Sequence, residues 1–193
     1  MAIRLVRHDD SEAIRRVYAP VVETTAISFE LEAPSSDEMR RRIDETAPGF
    51  PWIVVETGGE VVGYAYAHAF STRGAYRWSV ETSIYLDPAA QRRRHGRALY
   101  TALLRVLRLL GYREVLAGIA LPNAASVALH ESLGFAQVAS YRHVGWKLGR
   151  WHDVGWWQRS IAEPGTAEPA LPLAMGDLAV ADLEQALRQV SAS

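Results

Sequence analysis

A cluster of basic residues stands where a strand-like run meets an apolar helix. Four arginines fall within the segment Gln91-Arg92-Arg93-Arg94-His95-Gly96-Arg97-Ala98. Residues 83–86 before it are typical of a strand, and residues 96–110 of an apolar helix. A helix N-terminus offers unpaired N–H groups and partial positive charge, and guanidinium groups bind phosphate oxygens in charge-assisted pairs. The segment therefore predicts a pyrophosphate site, with a solvated basic turn as the alternative.

A single carboxylate precedes the basic loop on the same predicted strand. Glu81 lies close to the apolar residues Trp78 and Val80. Apolar neighbours raise the pKa of a carboxyl group, which suits it to accept a proton near neutral pH. An α-ammonium group has a pKa of about 8, so a base of modest strength can deprotonate it. Glu81 is thus a candidate general base, and an outward-facing strand carboxylate is the alternative.

A second motif follows the basic loop by about one helix and one strand. It reads N-x-x-S-x-x-L-H-x-x-L-G-F over residues 123–135, and the whole order resembles the GNAT acyl-CoA-dependent N-acetyltransferases. Three further runs, Phe50-Pro51-Trp52, residues 75–81 and residues 151–158, are similar to the phosphinothricin and methionine sulfoximine acetyltransferase subfamily. The likeness extends from residue 2 to residue 160 without a large gap.

The resemblance implies a fold, a reaction and two catalytic residues. The fold is a GNAT-type α/β (α+β) arrangement: a mixed, mostly antiparallel sheet flanked by helices. The reaction is direct transfer of an acetyl group from acetyl-CoA, without a metal, to the amine of a small amino-acid-like molecule. Glu81 corresponds to the catalytic base. His130 stands where many GNAT enzymes have a tyrosine, and acts as an acid or proton relay. A homodimer is also implied.

The resemblance also implies how acetyl-CoA is held. The backbone of Ile84, Tyr85 and Leu86 pairs with the pantetheine arm as an added strand, and one of its N–H groups stabilises the oxyanion. Asn123 caps a helix and also binds the cofactor. The cofactor-binding set is completed by Ser132 and by the loop residues Gln91, Arg92, Arg93, Arg94, His95, Gly96, Arg97 and Ala98.

One residue departs from the family pattern. The loop of the family usually reads Q/R-x-x-G-x-G/A, and Arg94 stands at the first glycine, with Gly96 at the second. A left-handed conformation at Arg94 would cost on the order of 1 kcal/mol. Because a helix entry needs only ordinary helical dihedrals, we expect a negative φ at Arg94. Its guanidinium would then add a phosphate contact.

Five residues are candidates for binding the acceptor. An arginine suits the carboxylate of an amino acid, and aromatic walls suit its side chain; the candidates are Phe29, Arg73, Tyr76, Lys147 and Trp151. For Trp156 and Trp157 we expect core packing. Two alternatives stay open: a protein N-terminal or lysine acetyltransferase, and a non-catalytic acyl-CoA-binding domain in which Arg94 has changed the cofactor site.

Composition limits the other classes of function. With 193 residues, 49% of them hydrophobic, the chain suits one well-buried domain. The net charge of −1 argues against non-specific nucleic-acid binding, and the lack of cysteine excludes disulfides, thiolate metal sites and a cysteine nucleophile. Residues 1–7 lack the apolar run of a signal peptide, and no stretch reaches the roughly 20 apolar residues of a membrane span. We expect a cytoplasmic enzyme that binds no membrane.

The remaining elements follow from periodicity. Strands are predicted at residues 2–7, 52–57, 61–69, 80–86, 114–120, 137–141 and 154–160, with a Gly58-Gly59 hairpin turn. The patterns Asp9-x-x-Glu12 and Ser35-x-x-Glu38 predict capped helix starts, and Arg40–Arg42 should face solvent.

The end of the chain lies outside the family resemblance. We predict a GNAT domain over residues 1–162 and a Pro/Ala-rich linker with a C-terminal helix over residues 163–193. Leu178, Leu183, Leu187 and Val190 mark one face of that helix, expected over residues 177–189 and packed on the chain's own fold.

Overall fold

The computed structural model describes residues 1–91, 93–163 and 165–188. Its central feature is a seven-stranded sheet with the order β1-β2-β3-β4-β5-β7-β6. The strands are β1 Ala2–Leu5, β2 Trp52–Thr57, β3 Glu60–Ala69, β4 Ser79–Leu86, β5 Glu114–Leu121, β6 Ala136–Lys147 and β7 Arg150–Ser160. The helices are α1 Ser11–Thr24, α2 Ser36–Thr46, α3 His95–Leu109, α4 Ala124–Ser132 and α5 Val180–Arg188.

The sheet is mixed and mostly antiparallel, as predicted. Only β4 and β5 run parallel, and every other neighbouring pair is antiparallel. A parallel pair requires a crossover, and α3 provides it between β4 and β5. The parallel pair lies at the middle of the sheet, next to the predicted base and the predicted phosphate loop.

Each face of the sheet has its own apolar core. On one face, α3 buries Leu99, Leu103 and Leu107 against the central strands. On the other, α1 and α2 pack against β2 and β3, with Ile14 and Tyr64 among the buried residues. Burial of such side chains removes apolar surface from water and contributes about 25 cal/mol per Å². The two cores fix the helices on either side of the parallel pair.

Two predicted helix starts have different outcomes. Ser35 caps α2 by accepting a hydrogen bond from the N–H of Glu38, 3.1 Å away, as predicted. The capping box at Asp9 is wrong, because α1 begins at Ser11 and Asp10 precedes it. The carboxylate of Asp10 instead accepts hydrogen bonds from Arg4 at 2.6 and 2.8 Å.

The last two strands are longer than predicted and form one hairpin. β6 and β7 pair from Ala136–Gln158 to Lys147–Arg150, with shifts in register along the way. The turn between them contains Leu148 and Gly149, both with positive φ. Turns of this kind match the twist of a hairpin. The hairpin brings Lys147 and His152 toward the first helices.

The C-terminal helix α5 begins at Val180, later than the predicted residue 177, and packs on the rest of the described chain. Leu183 and Leu187 of α5 contact the core on the α3 side, and Leu178 joins them. Val190 and residue Pro164 lie outside the described residues. Among the helices that are described, none combines the length and the apolar character that a membrane crossing needs.

Candidate acyl-transfer site

A groove opens where the two parallel strands separate. β4 and β5 pair only through Ser79–Glu114, Val80–Val115 and Glu81–Leu116. Beyond that point a groove lies between residues 82–85 of β4 and residues 117–120 of β5, with Ile27, Asn123, Ser126 and His130 completing its lining. We call it the β4–β5 groove. Ile84 and Tyr85, two of the predicted pantetheine contacts, therefore line it, and an extended ligand could pair with its strand edges.

A buried hydroxyl holds the strands at the point of separation. Thr82 is 3% exposed, and its Oγ1 lies 2.5 Å from the hydroxyl of Tyr100 and 3.1 Å from the carbonyl oxygen of Leu116. The bond to Leu116 links β4 to β5 through a side chain where the regular ladder ends. Thr82 thereby fixes the head of the groove, directly beside Glu81.

Glu81 lies at the head of the groove, and its surroundings suit a base. Burial raises the pKa of its carboxyl group, while the charge of His68 acts in the opposite direction. The two side chains face each other across the β3–β4 ladder, with His68 Nε2 4.0 Å from Glu81 Oε2. A raised pKa brings a carboxylate closer to the pKa of an amine, which improves proton acceptance.

His130 is buried on α4 and lines the groove. Its Nδ1 lies 2.8 Å from the carbonyl oxygen of Ser126, and a carbonyl can only accept, so Nδ1 carries the proton. Burial lowers the pKa of the imidazole, and the Tyr100 ring packs edge-on at 5.0 Å. His130 is therefore neutral near pH 7, with Nε2 as its free proton acceptor.

Asn123 and Ser132 mark the two ends of the same helix. Asn123 is the N-cap of α4: its side-chain oxygen accepts from the N–H of Ser126, and the residue also lines the groove. Ser132 accepts a hydrogen bond from Arg97 Nη1, 3.0 Å away. This contact joins the start of α3 to the end of α4, so the structure gives both residues a local role in building the site.

The conformation of Arg94 differs from the prediction. Arg94 has φ +64° and ψ 2°, in the left-handed region, and it directly precedes α3. The expected negative φ is wrong, because residues 93 and 94 bend directly before α3 begins at His95. For a non-glycine residue this conformation costs on the order of 1 kcal/mol. The guanidinium of Arg94 is exposed, as is that of Arg93.

The first turn of α3 divides into an inner and an outer side. His95, Gly96 and Ala98 are buried, whereas Gln91 and Arg97 are exposed. A Cβ on Gly96 would lie 3.0 Å from Leu86 Cδ1, so glycine allows the close approach of α3 to the end of β4. Leu86 thus supports the helix. Arg92, the remaining predicted phosphate ligand, lies outside the described residues.

Residues 25–30, which we call the covering loop, close over the groove. Ile27 lines the groove, and Thr25, Ala26 and Ile27 also border residues 120–122 at the end of β5. The ammonium of Lys147 is buried and donates to the carbonyl oxygens of Val22, Ser28 and Glu30 at 2.6, 2.8 and 2.7 Å. These three bonds use all of its donors, so Lys147 holds the loop and has none left for an acceptor.

Side-chain bonds complete the attachment of the covering loop. The hydroxyl of Tyr18 bonds Ser28 Oγ at 2.7 Å and Glu30 Oε1 at 2.8 Å. Although burial acts to raise it, the hydrogen bond from Arg42 holds the pKa of Glu30 below its usual range. Arg42, which pairs with Glu30, is half-buried, so the prediction that it faces solvent is wrong. Arg40 and Arg41 are exposed, as predicted.

The other acceptor candidates lie in three different places. Phe29 packs against Gly145 and lies 6.1 Å from the ring of His152, in the β6–β7 hairpin. Arg73 and Tyr76 are exposed on the connection between β3 and β4. Trp151 packs edge-on against Trp146 at 5.4 Å on the exposed side of the hairpin. The structure thus leaves Arg73 and Tyr76 as the candidates on the connection that enters the Glu81 strand.

Two tryptophans that were predicted to pack in the core differ in how deeply they are buried. Trp157 is 2% exposed and belongs to the core beneath α3, as predicted. Trp156 is only half-buried, lies against Gly118 and makes an edge contact with Phe70. Phe70 in turn contacts Tyr76, 5.5 Å away. Neighbouring strand residues point to opposite faces, so Trp156 lies on the face of the sheet opposite to Trp157.

Sequence reasoning missed a set of aromatic residues beside the base. Tyr64, Tyr66 and His68 alternate along β3 and share the face of Glu81, and Trp52 of β2 stacks on Tyr66 at 4.2 Å. Their alternation was a readable signal for one shared face. It could not show that α1 and α2 would leave a cavity above them.

The sequence of the chain is similar to those of known acetyltransferases. The acetyltransferase (GNAT) domain matches residues 3–156. The chain belongs to the GNAT acetyltransferase family. It is 37% identical to phosphinothricin N-acetyltransferase of Streptomyces viridochromogenes over 89% of this chain and 93% of that protein. It is 35% identical to the L-methionine sulfoximine/L-methionine sulfone acetyltransferase of Salmonella typhimurium, over 84% of this chain and 96% of that protein.

A solved GNAT structure has the same architecture. The phosphinothricin acetyltransferase of Sinorhizobium meliloti, in complex with acetyl-CoA, superposes with a TM-score of 0.83. It is 36% identical and covers 87% of this chain and 92% of its own. The predicted family and fold are therefore confirmed. Within the described residues, no group of three or more His, Cys, Asp or Glu side chains could hold a metal ion.

Proposed function

We propose that this GNAT chain transfers an acetyl group from acetyl-CoA directly to the free amine of a small amino-acid-like substrate. The observation that carries the proposal is the β4–β5 groove, with a carboxyl group of raised pKa at its head and a helix N-terminus with exposed arginines beyond it. The named activities of the relatives support the same chemistry.

The transfer needs one proton acceptor and one route for a proton to sulfur. The amine nitrogen attacks the thioester carbonyl carbon as Glu81 takes its proton, and a backbone N–H of residues 84–86 stabilises the oxyanion. Collapse breaks the C–S bond and leaves the amide and a thiolate. A proton must then reach the thiolate. Since neutral His130 keeps its own proton on Nδ1, it takes a proton from solvent on Nε2 and passes it to sulfur, so it acts as a relay and not as a stored acid.

The covering loop favours a small acceptor over a protein. Lys147, Tyr18 and Arg42 fix the loop with buried or half-buried bonds, and Ile27 narrows the groove. A peptide would need that segment to move. The non-catalytic alternative is opposed by the pKa of Glu81, since a domain that only binds acyl-CoA needs no such base. Arg73 and Tyr76 are proposed to contact the acceptor, with Arg73 at its carboxylate.

Thiol release tests the proposal. Acetyl-CoA is incubated with free amino acids, phosphinothricin, methionine sulfone, a basic peptide, or no acceptor. Release that depends on a free amino acid, with the N-acetyl product seen by mass spectrometry, is expected. Release with the peptide alone would favour a protein acetyltransferase, and acetyl-CoA binding without release would favour the non-catalytic alternative.

We also propose that two copies associate through the β6–β7 hairpin. Val138, Tyr141, Val144, Trp146, Leu148 and Trp151 are between 53% and 59% exposed. Several large apolar side chains exposed along one hairpin are typical of an interface. Light scattering should give a dimer for the native chain and a monomer for Trp146→Glu; a monomeric native chain would contradict this.

We propose the cytoplasm as the compartment of the enzyme, because acetyl-CoA is found in the cytoplasm.

A further inference from the structure

A cavity of about 250 Å³ lies on the Glu81 face of the sheet, beneath α1 and α2. Its floor consists of buried side chains, Met39, Trp52 and Tyr64, which are at most 4% exposed. Tyr66, half-buried, forms one wall and stacks on Trp52. We call it the aromatic cavity. Flat rings and a thioether offer an apolar ligand extensive contact.

The cavity lies next to the proposed base. His68 lines it and is the direct cross-strand partner of Glu81, with 4.0 Å between Nε2 and Oε2. Side chains opposite each other on adjacent strands share a face and lie roughly 5 Å apart at Cβ. A molecule with its amine at Glu81 therefore has the aromatic cavity within reach of its side chain.

The charged residues at the edge of the aromatic cavity disfavour binding of an anionic side chain. Arg42 lines the cavity, but its guanidinium already binds Glu30 at 2.7 and 3.0 Å and Glu38 at 2.8 Å. The one guanidinium among the residues that line the cavity is therefore already paired with two carboxylates, of which Glu38 also binds Arg41 at 2.9 Å. An anionic side chain would be repelled by the carboxylates that pair with Arg42, whereas a neutral side chain meets no such repulsion.

We infer that the aromatic cavity binds the side chain of the acceptor. The enzyme therefore prefers amino acids with a large neutral side chain, aromatic or methionine-like, over those with a small or an anionic one such as the phosphinate of phosphinothricin. This inference rests on the proposed function. It names the class of acceptor, and it assigns the cavity residues of α2, β2 and β3 to specificity.

A bulky substitution at the edge of the cavity tests this inference. Thr46, at the end of α2, lines the cavity and is not part of the buried floor. Thr46→Trp should lower kcat/KM for L-phenylalanine and L-methionine by about 10-fold or more, the usual scale for a lost apolar pocket contact, and leave L-alanine and the KM for acetyl-CoA unchanged. Glu45→Trp adds the same ring at an exposed neighbouring position and should change none of these values.

A second variant tests the charge at the rim with a change that keeps the shape of the side chain. Glu38→Gln removes one of the two carboxylates at Arg42 and should raise the ratio of kcat/KM for phosphinothricin to that for L-phenylalanine by about 3-fold, the scale of a partly exposed ion pair. Native enzyme that prefers phosphinothricin to L-phenylalanine would overturn the inference. So would a Thr46→Trp loss that is equal for L-alanine and L-phenylalanine. If no amine releases thiol, the proposed function fails, and the inference fails with it.

Discussion

The proposed cofactor site and the proposed acceptor cavity are built in different ways. On the cofactor side, the loop and the first turn of α3 come from one continuous segment, residues 91–98. On the acceptor side, the cavity draws on α1, α2, β2 and β3, whose residues range from Tyr18 to His68. The first side depends on a local backbone conformation, and the second on how distant elements pack. Substitutions on the two sides should therefore affect different measurements.

The two proposed proton-transfer residues show a related contrast. Both are largely buried, but burial disfavours charge in each, so it raises the pKa of the Glu81 carboxyl and lowers that of the His130 imidazole. The carboxylate becomes a better base, and the imidazole stays neutral. One physical cause, burial, thus shifts both pKa values in the directions that suit proton transfer.

Glu81→Gln should have the largest effect, because it removes the proton acceptor and keeps the shape. We expect kcat to fall about 10²-fold or more, with the Kd for acetyl-CoA unchanged by calorimetry. In native enzyme the acidic limb of the kcat/KM profile should lie above the ordinary range of a glutamate. A limb that follows the amine pKa of the acceptor, with a near-native Glu81→Gln, would contradict the role of Glu81.

Stability provides the control for Glu81→Gln. A carboxyl group whose pKa is raised in the folded state favours folding at low pH, and this advantage is lost as the pH rises through that pKa. At pH 8 the variant should therefore be at least as stable as the native chain in urea. A large loss of stability would mean that the activity reports unfolding instead.

Lys147→Met should break the attachment of the covering loop. The methionine keeps the length of the side chain but leaves three carbonyl oxygens without their donor, which should lower the free energy of unfolding by about 2–3 kcal/mol. Urea unfolding measures this. If Lys147 bound the acceptor instead, stability would stay unchanged and only the acceptor KM would rise.

Gly96→Asp should weaken the cofactor side alone. A carboxylate at the first turn of α3 opposes a diphosphate, so we expect the Kd for acetyl-CoA to rise about 10-fold. Gly96→Ala is the matched control, because it meets Leu86 in the same way without the charge. An equal rise in both variants would assign the effect to packing.

Arg94→Gly should have the smallest effect. Glycine adopts φ +64° without the steric cost of a side chain, so the apo protein should gain up to about 1 kcal/mol of stability in urea. The loop would also lose one exposed guanidinium, and the Kd for acetyl-CoA should change little. A loss of stability would show that the Arg94 side chain itself holds the loop.

Local sequence patterns were enough to predict the family and the mixed sheet, and they also led to the proposed phosphate loop. These follow from short continuous patterns: alternation in strands, the arginine loop before a helix, and the motif of residues 123–135. Each depends on neighbouring residues, whose relative positions are limited by the chain itself. Glu81 and His130 were predicted for the same reason, since each occurs at a fixed place in such a pattern.

Three features depend on packing between distant elements: the left-handed conformation of Arg94, the three carbonyl bonds of Lys147 and the aromatic cavity. The backbone angle at Arg94 depends on the direction in which α3 must leave β4. Lys147 meets carbonyl groups 117 to 125 positions away in the chain. Such contacts arise where α1, α2, the covering loop and the β6–β7 hairpin pack together, and no local pattern of residues specifies how closely those elements meet.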